Sequence, residues 1–264
     1  MRIAFGVEYD GGGYSGWQLQ KGGETTVQGV VEEAISRVAA HPVRISCAGR
    51  TDTGVHATGQ VIHFETDAQR SDRAWVYGTN THLPKGVVVT WAKGVDDAFH
   101  ARFSALRRRY SYIIYQREVR PTFLAGRVTW SHRVLDLEAM RTGAKYLLGR
   151  HDFTTFRAVA CQAKSPVREI FQLQLHHHGP YLILEVEADG FLHHMVRNIA
   201  GVLMKIGRGE REGDWCQQIL LQRDRRVGGA TAPPAGLYLT RVEYPGEFQI
   251  PAPPDFFMNA EFFQ

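Results

Sequence analysis

Cysteine is scarce in this chain of 264 residues: Cys47, Cys161 and Cys216 are far apart and form no CxxC pair. Three scattered thiols exclude a disulfide framework and a zinc knuckle, and each is expected to be a small buried hydrophobe. No apolar run approaches the roughly 20 residues that a membrane span needs. The opening "MRIAFGVEYDGGG" has too short an apolar stretch for a signal peptide, so a cytoplasmic protein with no membrane partner is expected. GxSxG is absent, and Ser104 and Ser165, the serines nearest to arginines, have no evident base, which leaves no serine nucleophile. Lysine is also rare, with six residues (21, 85, 93, 145, 164 and 205) against 25 arginines. Such a skew fits either a GC-rich genome or a nucleic-acid partner, because guanidinium forks match phosphate oxygens and stack on bases. Clustering adds weight to the second reading. Arg107, Arg108 and Arg109 run into Tyr110 and Tyr112, while Arg223, Arg225 and Arg226 precede Gly228 and Gly229.

What is present is ordinary for a packed protein: 44% hydrophobic and 22% charged residues, net charge +4. The spacing predicts strands over 2–10, 43–48, 60–66 and 86–95, and helices over 25–41 and 72–83. That order, β, α, β, β, α, β, is the order of a split βαβ, ferredoxin-like unit. Further along, a strand is predicted over 108–116, a helix over 136–149, and a strand pair over 167–177 and 181–189 turning at Gly179 and Pro180. A helix over 193–207 should end at Gly207; another helix follows, and 236–244 closes as a strand. The fold class expected is α+β: two ferredoxin-like halves, 1–102 and 103–264, forming a mixed, mostly antiparallel sheet with helices on one face. The tail "PGEFQIPAPPDFFMNAEFFQ" ends in paired phenylalanines that need cover, from a second subunit or from its own chain.

The stretch "CAGRTDTGVHATGQ" (47–60) places one carboxylate, Asp52, between glycines at a strand-to-loop transition. An aspartate there is a turn residue or a reactive group. Arg50 and His56 add a fixed charge and a titratable ring, more than a solvated turn requires. Upstream, Gly11, Gly13 and Gly16 satisfy GxGxxG, but "WQLQKGGETT" separates them from the helix, so a dinucleotide site is not supported; a flexible loop presenting Tyr14 and Trp17 is expected instead. His176, His177 and His178 are consecutive on a strand and point to alternate faces, and His193 and His194 raise the same difficulty, so no metal site is expected.

Six segments, "YDGGGYSGWQ", "CAGRTDTGVHATGQV", "FHARFSALRRRYSYIIY", "LLGRHDFTTFR", "FLHHMVRNI" and "GLYLTRVEY", in this order and over nearly the whole chain, resemble the tRNA pseudouridine synthase A family. The resemblance implies a cofactor-free, homodimeric isomerase that converts uridine to pseudouridine at positions 38, 39 and 40 in the anticodon arm of tRNA. It implies a nucleophilic role for Asp52 and a base-displacing role for Arg50. Tyr110 would pack on the target uracil, Arg197 would pair with the catalytic carboxylate, and Leu237 would form an apolar wall. Ser111 departs from the pattern, standing where relatives often carry another arginine.

The chemistry can be followed on its own terms. Breaking N1–C1′, turning the base and forming C5–C1′ oxidises nothing, so no cofactor is needed. A carboxylate attacking C1′ or C6 would give a covalent intermediate that divides one hard step into two easier ones. A noncatalytic RNA-binding protein would leave Asp52 as an unexplained negative charge beside phosphates. A glycoside hydrolase would need a second carboxylate roughly 5 to 10 Å away, and the sequence offers none nearby.

Overall fold

The computed structural model describes residues 1–254. It is an α+β protein with, among the described residues, five α-helices and mostly antiparallel strands, in two units. The first comprises residues 1–108 with the described chain from Tyr238 onward, and the second Arg109–Leu237. Among the described residues no helix is long and apolar enough to cross a membrane.

In the first unit β1 (Arg2–Tyr9), α1 (Val27–Ala39), β2 (Ile45–Cys47), β3 (His56–Glu65), α2 (Asp72–His82) and β4 (Val87–Val95) follow in the predicted order. β1 lies antiparallel between β4 and β3, pairing Arg2 with Val95 on one side and with Glu65 on the other. The outer edge of β3 takes β2 near Ile62–Phe64 and, in parallel, β10 (Leu237–Glu243) at His56 and Ala57. The order β4-β1-β3-β2 is that of the ferredoxin-like unit. Thr26 and Ser71 cap α1 and α2, accepting from the amides of Gly29 and Ala74. One buried cluster joins sheet to helix: Phe5 meets Phe64 edge-on at 5.0 Å, and Trp75 of α2 lies 5.4 Å from Phe64. Pairs of this kind add about 0.5–1.5 kcal/mol each beyond the area buried. Buried Glu32 of α1 accepts from the amide of Ile45 at 3.1 Å and so fixes the start of β2.

The second unit contains most of β5 (Arg107–Gln116), with β6 (Thr129–Ser131) parallel to it, then α3 (Leu137–Lys145), β7 (Gly149–Asp152), β8 (Val167–His178), β9 (Tyr181–Ala188), α4 (Met195–Gly207) and α5 (Trp215–Gln222). β8 and β9 form the expected hairpin, with His178 opposite Tyr181 and Gly179 at φ 53° in the turn.

One expected boundary changes. The helix predicted over 136–149 stops at Lys145, and Gly149, at φ 89°, opens β7. α4 ends at Gly207 as expected, and the turn after it is made by Gly209, at φ 72°, whose amide and that of Glu210 bond back to Ile206 O and Lys205 O. Gly207 also serves packing, since a Cβ there would lie 2.7 Å from Met140 Sδ. The tail begins by packing on its own unit, with Phe248 5.2 Å from Phe99 and Lys93 donating to the carbonyls of Phe248 and Gln249. Its paired phenylalanines lie outside the described residues.

Candidate active site

β2 ends at Cys47 and β3 begins at His56, so the motif divides into a loop, 48–55, and the first turn of a strand. The loop is fastened where it leaves β2. The amide of Ala48 donates to Val61 O at 2.8 Å, and the buried Gln60 carboxamide donates to Gly49 O at 2.6 Å while accepting from Gly49 N at 3.3 Å. Arg108 Nε donates to Ala48 O at 3.2 Å.

The tightest hold is on Thr51. Its carbonyl accepts from the amide of Trp17 at 3.0 Å, and its Oγ1 is 2.8 Å from the Tyr9 hydroxyl. Asp52 follows at once, half-buried, and its carbonyl accepts from the amide of Val55 at 3.1 Å across a turn in which Gly54 has φ 75°. That positive φ is one that side chains other than glycine rarely adopt. Arg50, on the other side of Thr51, is exposed. A clamped threonine thus separates a half-buried carboxylate from an exposed guanidinium.

The upstream glycines explain themselves here. "YDGGGYSGW" is packed against the Asp52 loop rather than left flexible. The amide of Gly11 donates to His56 Nδ1 at 3.0 Å, and a Cβ on Gly11 would stand 1.9 Å from Val55 O. Gly16, at φ 86°, lies against Thr51 O. Trp17 is buried beside Tyr9, ring centroids 5.6 Å apart, so it is part of the brace and is not presented to solvent. Buried His56 stacks on Tyr238 at 4.7 Å, and Asp10 Oδ1 lies 3.1 Å from its Nδ1. Burial pushes the Cys47 thiol up to about 11, an effect that Arg50, Arg102 and Arg108 only partly oppose. The thiol beside the loop therefore stays protonated and is no rival nucleophile.

Tyr110, Arg197 and Leu237 belong to the second unit. Tyr110 is buried in β5 and meets Phe191 edge-on at 5.1 Å. Its neighbours point the other way: Arg109 donates twice to Glu187 Oε2, at 3.1 and 2.8 Å, and the Ser111 hydroxyl donates to Glu185 at 3.4 Å. Ser111, the position that departs from the family pattern, is thus enclosed. Arg197 lies in α4, which starts after His194 at φ 62°. Arg197 Nε donates to Ala232 O at 2.8 Å, and Ala232 N returns a bond to Arg197 O at 3.1 Å. The guanidinium charge also acts to lower the pKa of the Tyr112 hydroxyl, although burial dominates and raises it. Leu237 is buried at the start of β10.

Much of the arginine richness serves the fold. Arg225 donates to Gly229 O, Asn198 Oδ1 and Thr231 Oγ1 at 3.0 to 3.1 Å, and Arg226 pairs with Asp224 at 2.7 Å. Residues outside the motif, Tyr9, Trp17 and Arg108, hold the Asp52 loop through contacts distant in sequence.

A family model described as tRNA pseudouridine synthase matches residues 6–104 and 144–245. A tRNA pseudouridine synthase A of Pseudomonas aeruginosa is 57% identical over 250 residues, covering 95% of this chain and 88% of that one. One of Alcanivorax borkumensis is 54% identical over 253 residues, covering 96% and 95%. Another, of Coxiella burnetii, is 53% identical over 253 residues, covering 96% and 97%.

Proposed function

The chain belongs to the tRNA pseudouridine synthase family and is an isomerase, and from that premise we propose that it converts uridine to pseudouridine at positions 38, 39 and 40 of the tRNA anticodon arm, with Asp52 as nucleophile. The observation that carries this reading is the clamp on Thr51, which holds through its backbone and its side chain the residue next to a half-buried carboxylate. A carboxylate whose neighbour is held in this way has less freedom to lose in the reaction.

In the reaction the N1–C1′ bond breaks, the base turns, and C5–C1′ forms while the C5 proton is given up and N1 takes one. The product has the atoms of the substrate, so this chemistry calls for no cofactor. Attack of the ionised Asp52 at C1′ or at C6 forms a covalent bond that is broken again when the carboxylate leaves. The target base must first leave its stack, at a cost of a few kcal/mol. Arg50, exposed and two residues from Asp52, is assigned the displacing role. Stacking on Tyr110 offsets roughly 1 to 3 kcal/mol of that cost. Arg197 is assigned as the positively charged partner of the carboxylate, and Leu237 as an apolar wall. The halves 1–102 and 103–264 are assigned as the two ferredoxin-like repeats, and the working form as a cytoplasmic homodimer.

The test is to incubate unmodified tRNA transcripts with the protein and map pseudouridines at single-nucleotide resolution. New pseudouridine confined to positions 38 to 40 supports the reading. Modification elsewhere, or none, refutes it.

A further inference from the structure

The turn that leads into β5 carries a ring that the fold does not need. Phe103 is 76% exposed, whereas Phe99, four residues earlier, is fully buried against Tyr244 at 5.0 Å. A lone exposed apolar residue needs no explanation by itself. This one is held out by a turn whose groups are bonded one by one. The amides of Arg102 and Phe103 donate to His100 Nδ1 at 3.1 and 3.3 Å, and the amide of His100 donates to Ser104 Oγ at 2.9 Å. The amide of Ala101 donates to His63 Nδ1 at 3.1 Å, its carbonyl accepts from the Tyr244 hydroxyl at 2.6 Å, and Arg102 O accepts from Arg108 at 2.7 Å. The exposure of Phe103 is therefore built in.

The ring also has company of one kind. His100 lies 4.3 Å from it at a 35° tilt, and His63 lies 4.5 Å beyond His100, so a ladder of rings runs from the interior to the surface. The Arg102 guanidinium stands 5.6 Å from the ring centroid. Arg108 joins this turn to the start of the Asp52 loop, since its guanidinium donates to Arg102 O at 2.7 Å and to Ala48 O at 3.2 Å. An exposed ring among arginines is the composition of a surface that stacks unpaired bases and neutralises phosphates.

We propose that Phe103, backed by His100 and flanked by Arg102, is a stacking platform for an unpaired base of the RNA substrate other than the target uridine. The inference rests on the tRNA-modifying function proposed above. It assigns RNA rather than a second protein copy as the occupant because the neighbouring charges are guanidinium groups, which complement a polyanion. A stacked base contributes affinity without reading sequence, since every base has a π-face, so the platform would hold the RNA while the target is displaced.

The test compares binding of an unmodified tRNA transcript by the wild-type protein and by Phe103→Leu, Phe103→Trp and Arg102→Gln, each checked for an unchanged melting temperature and with its sedimentation mass measured. Leu keeps the apolar area and loses the π-face. Phe103→Leu is expected to weaken binding about tenfold or more, Phe103→Trp to match or exceed wild type, and Arg102→Gln to lower the salt dependence of binding. Leu and Trp variants that bind alike would overturn the proposal, as would a Leu variant within twofold of wild type. A Leu variant that keeps RNA affinity but changes sedimentation mass would assign the ring to a protein contact instead. A wild-type protein that neither binds tRNA nor forms pseudouridine would remove the parent function, and this platform with it; wild-type turnover with an indifferent Phe103 removes the platform alone.

Discussion

Replacing Gly11 with alanine should damage a site of which Gly11 is not a chemical part. A Cβ there would stand 1.9 Å from Val55 O and 2.6 Å from the Val55 carbonyl carbon, both backbone atoms that cannot rotate aside. One of the two segments must retreat by about 1.5 Å to reach ordinary contact. Overpacking of that kind costs about 1–3 kcal/mol, and stretching the bond from Gly11 N to His56 Nδ1 adds about 0.5–1.5 kcal/mol. Gly11→Ala is therefore expected to lower the unfolding free energy by about 2–4 kcal/mol in urea titrations. Val55 closes the turn that contains Asp52, so the displacement passes to the carboxylate. A misplacement of about 1 Å costs about 100-fold in rate. Turnover followed by tritium released from C5 of uridine should fall by that factor below the melting transition, with KM for tRNA little changed. Gly13→Ala, with nothing within 4 Å of the new Cβ, is the control and should behave as wild type. Wild-type turnover and stability in Gly11→Ala would refute the assignment of this glycine turn as the brace of the Asp52 loop.

Arg225→Ala removes donors to Gly229 O, Asn198 and Thr231 and should cost about 2–3 kcal/mol in thermal unfolding, while the salt slope of RNA binding stays unchanged. A flattened slope with unchanged stability would assign Arg225 to phosphate binding instead. Burial, helped by the charges of His100 and Arg2, lowers the His63 imidazole to about 4 from an ordinary 6.5. The unfolded chain therefore takes up this proton first, and stability falls as pH drops from 6.5 towards 4. Between pH 6.5 and 5 the wild type should lose more stability in urea than His63→Gln; equal losses would contradict the buried neutral ring.

The helices were legible where a cap preceded an apolar stripe, as at Thr26 before Val27, Val31 and Ile35. β7 was not, because Tyr146, Leu147 and Leu148 continue the apolar pattern of α3 and only the backbone at Gly149 breaks it. The end of α4 at Gly207 was legible because glycine commonly ends helices; the close approach of Met140, which also demands glycine there, was not. Asp52 and Arg50 were visible as an unusual pair in a glycine-flanked loop. Their support was not, since Tyr9 and Thr51 lie 42 positions apart and meet only after β1 and β3 pair. The arginine clusters misled in part: a local count of charges does not reveal that Arg109 faces Glu187 or that Arg225 is tied to Asn198.

The central claim is that Asp52 is the nucleophile, and Asp52→Asn tests it most directly because the amide keeps the size and shape of the side chain while removing its charge. Single-turnover incubation of the variant with tRNA should yield no pseudouridine at positions 38 to 40, with tRNA affinity within a few-fold of wild type. Pseudouridine formed at a rate near that of the wild type would contradict the account.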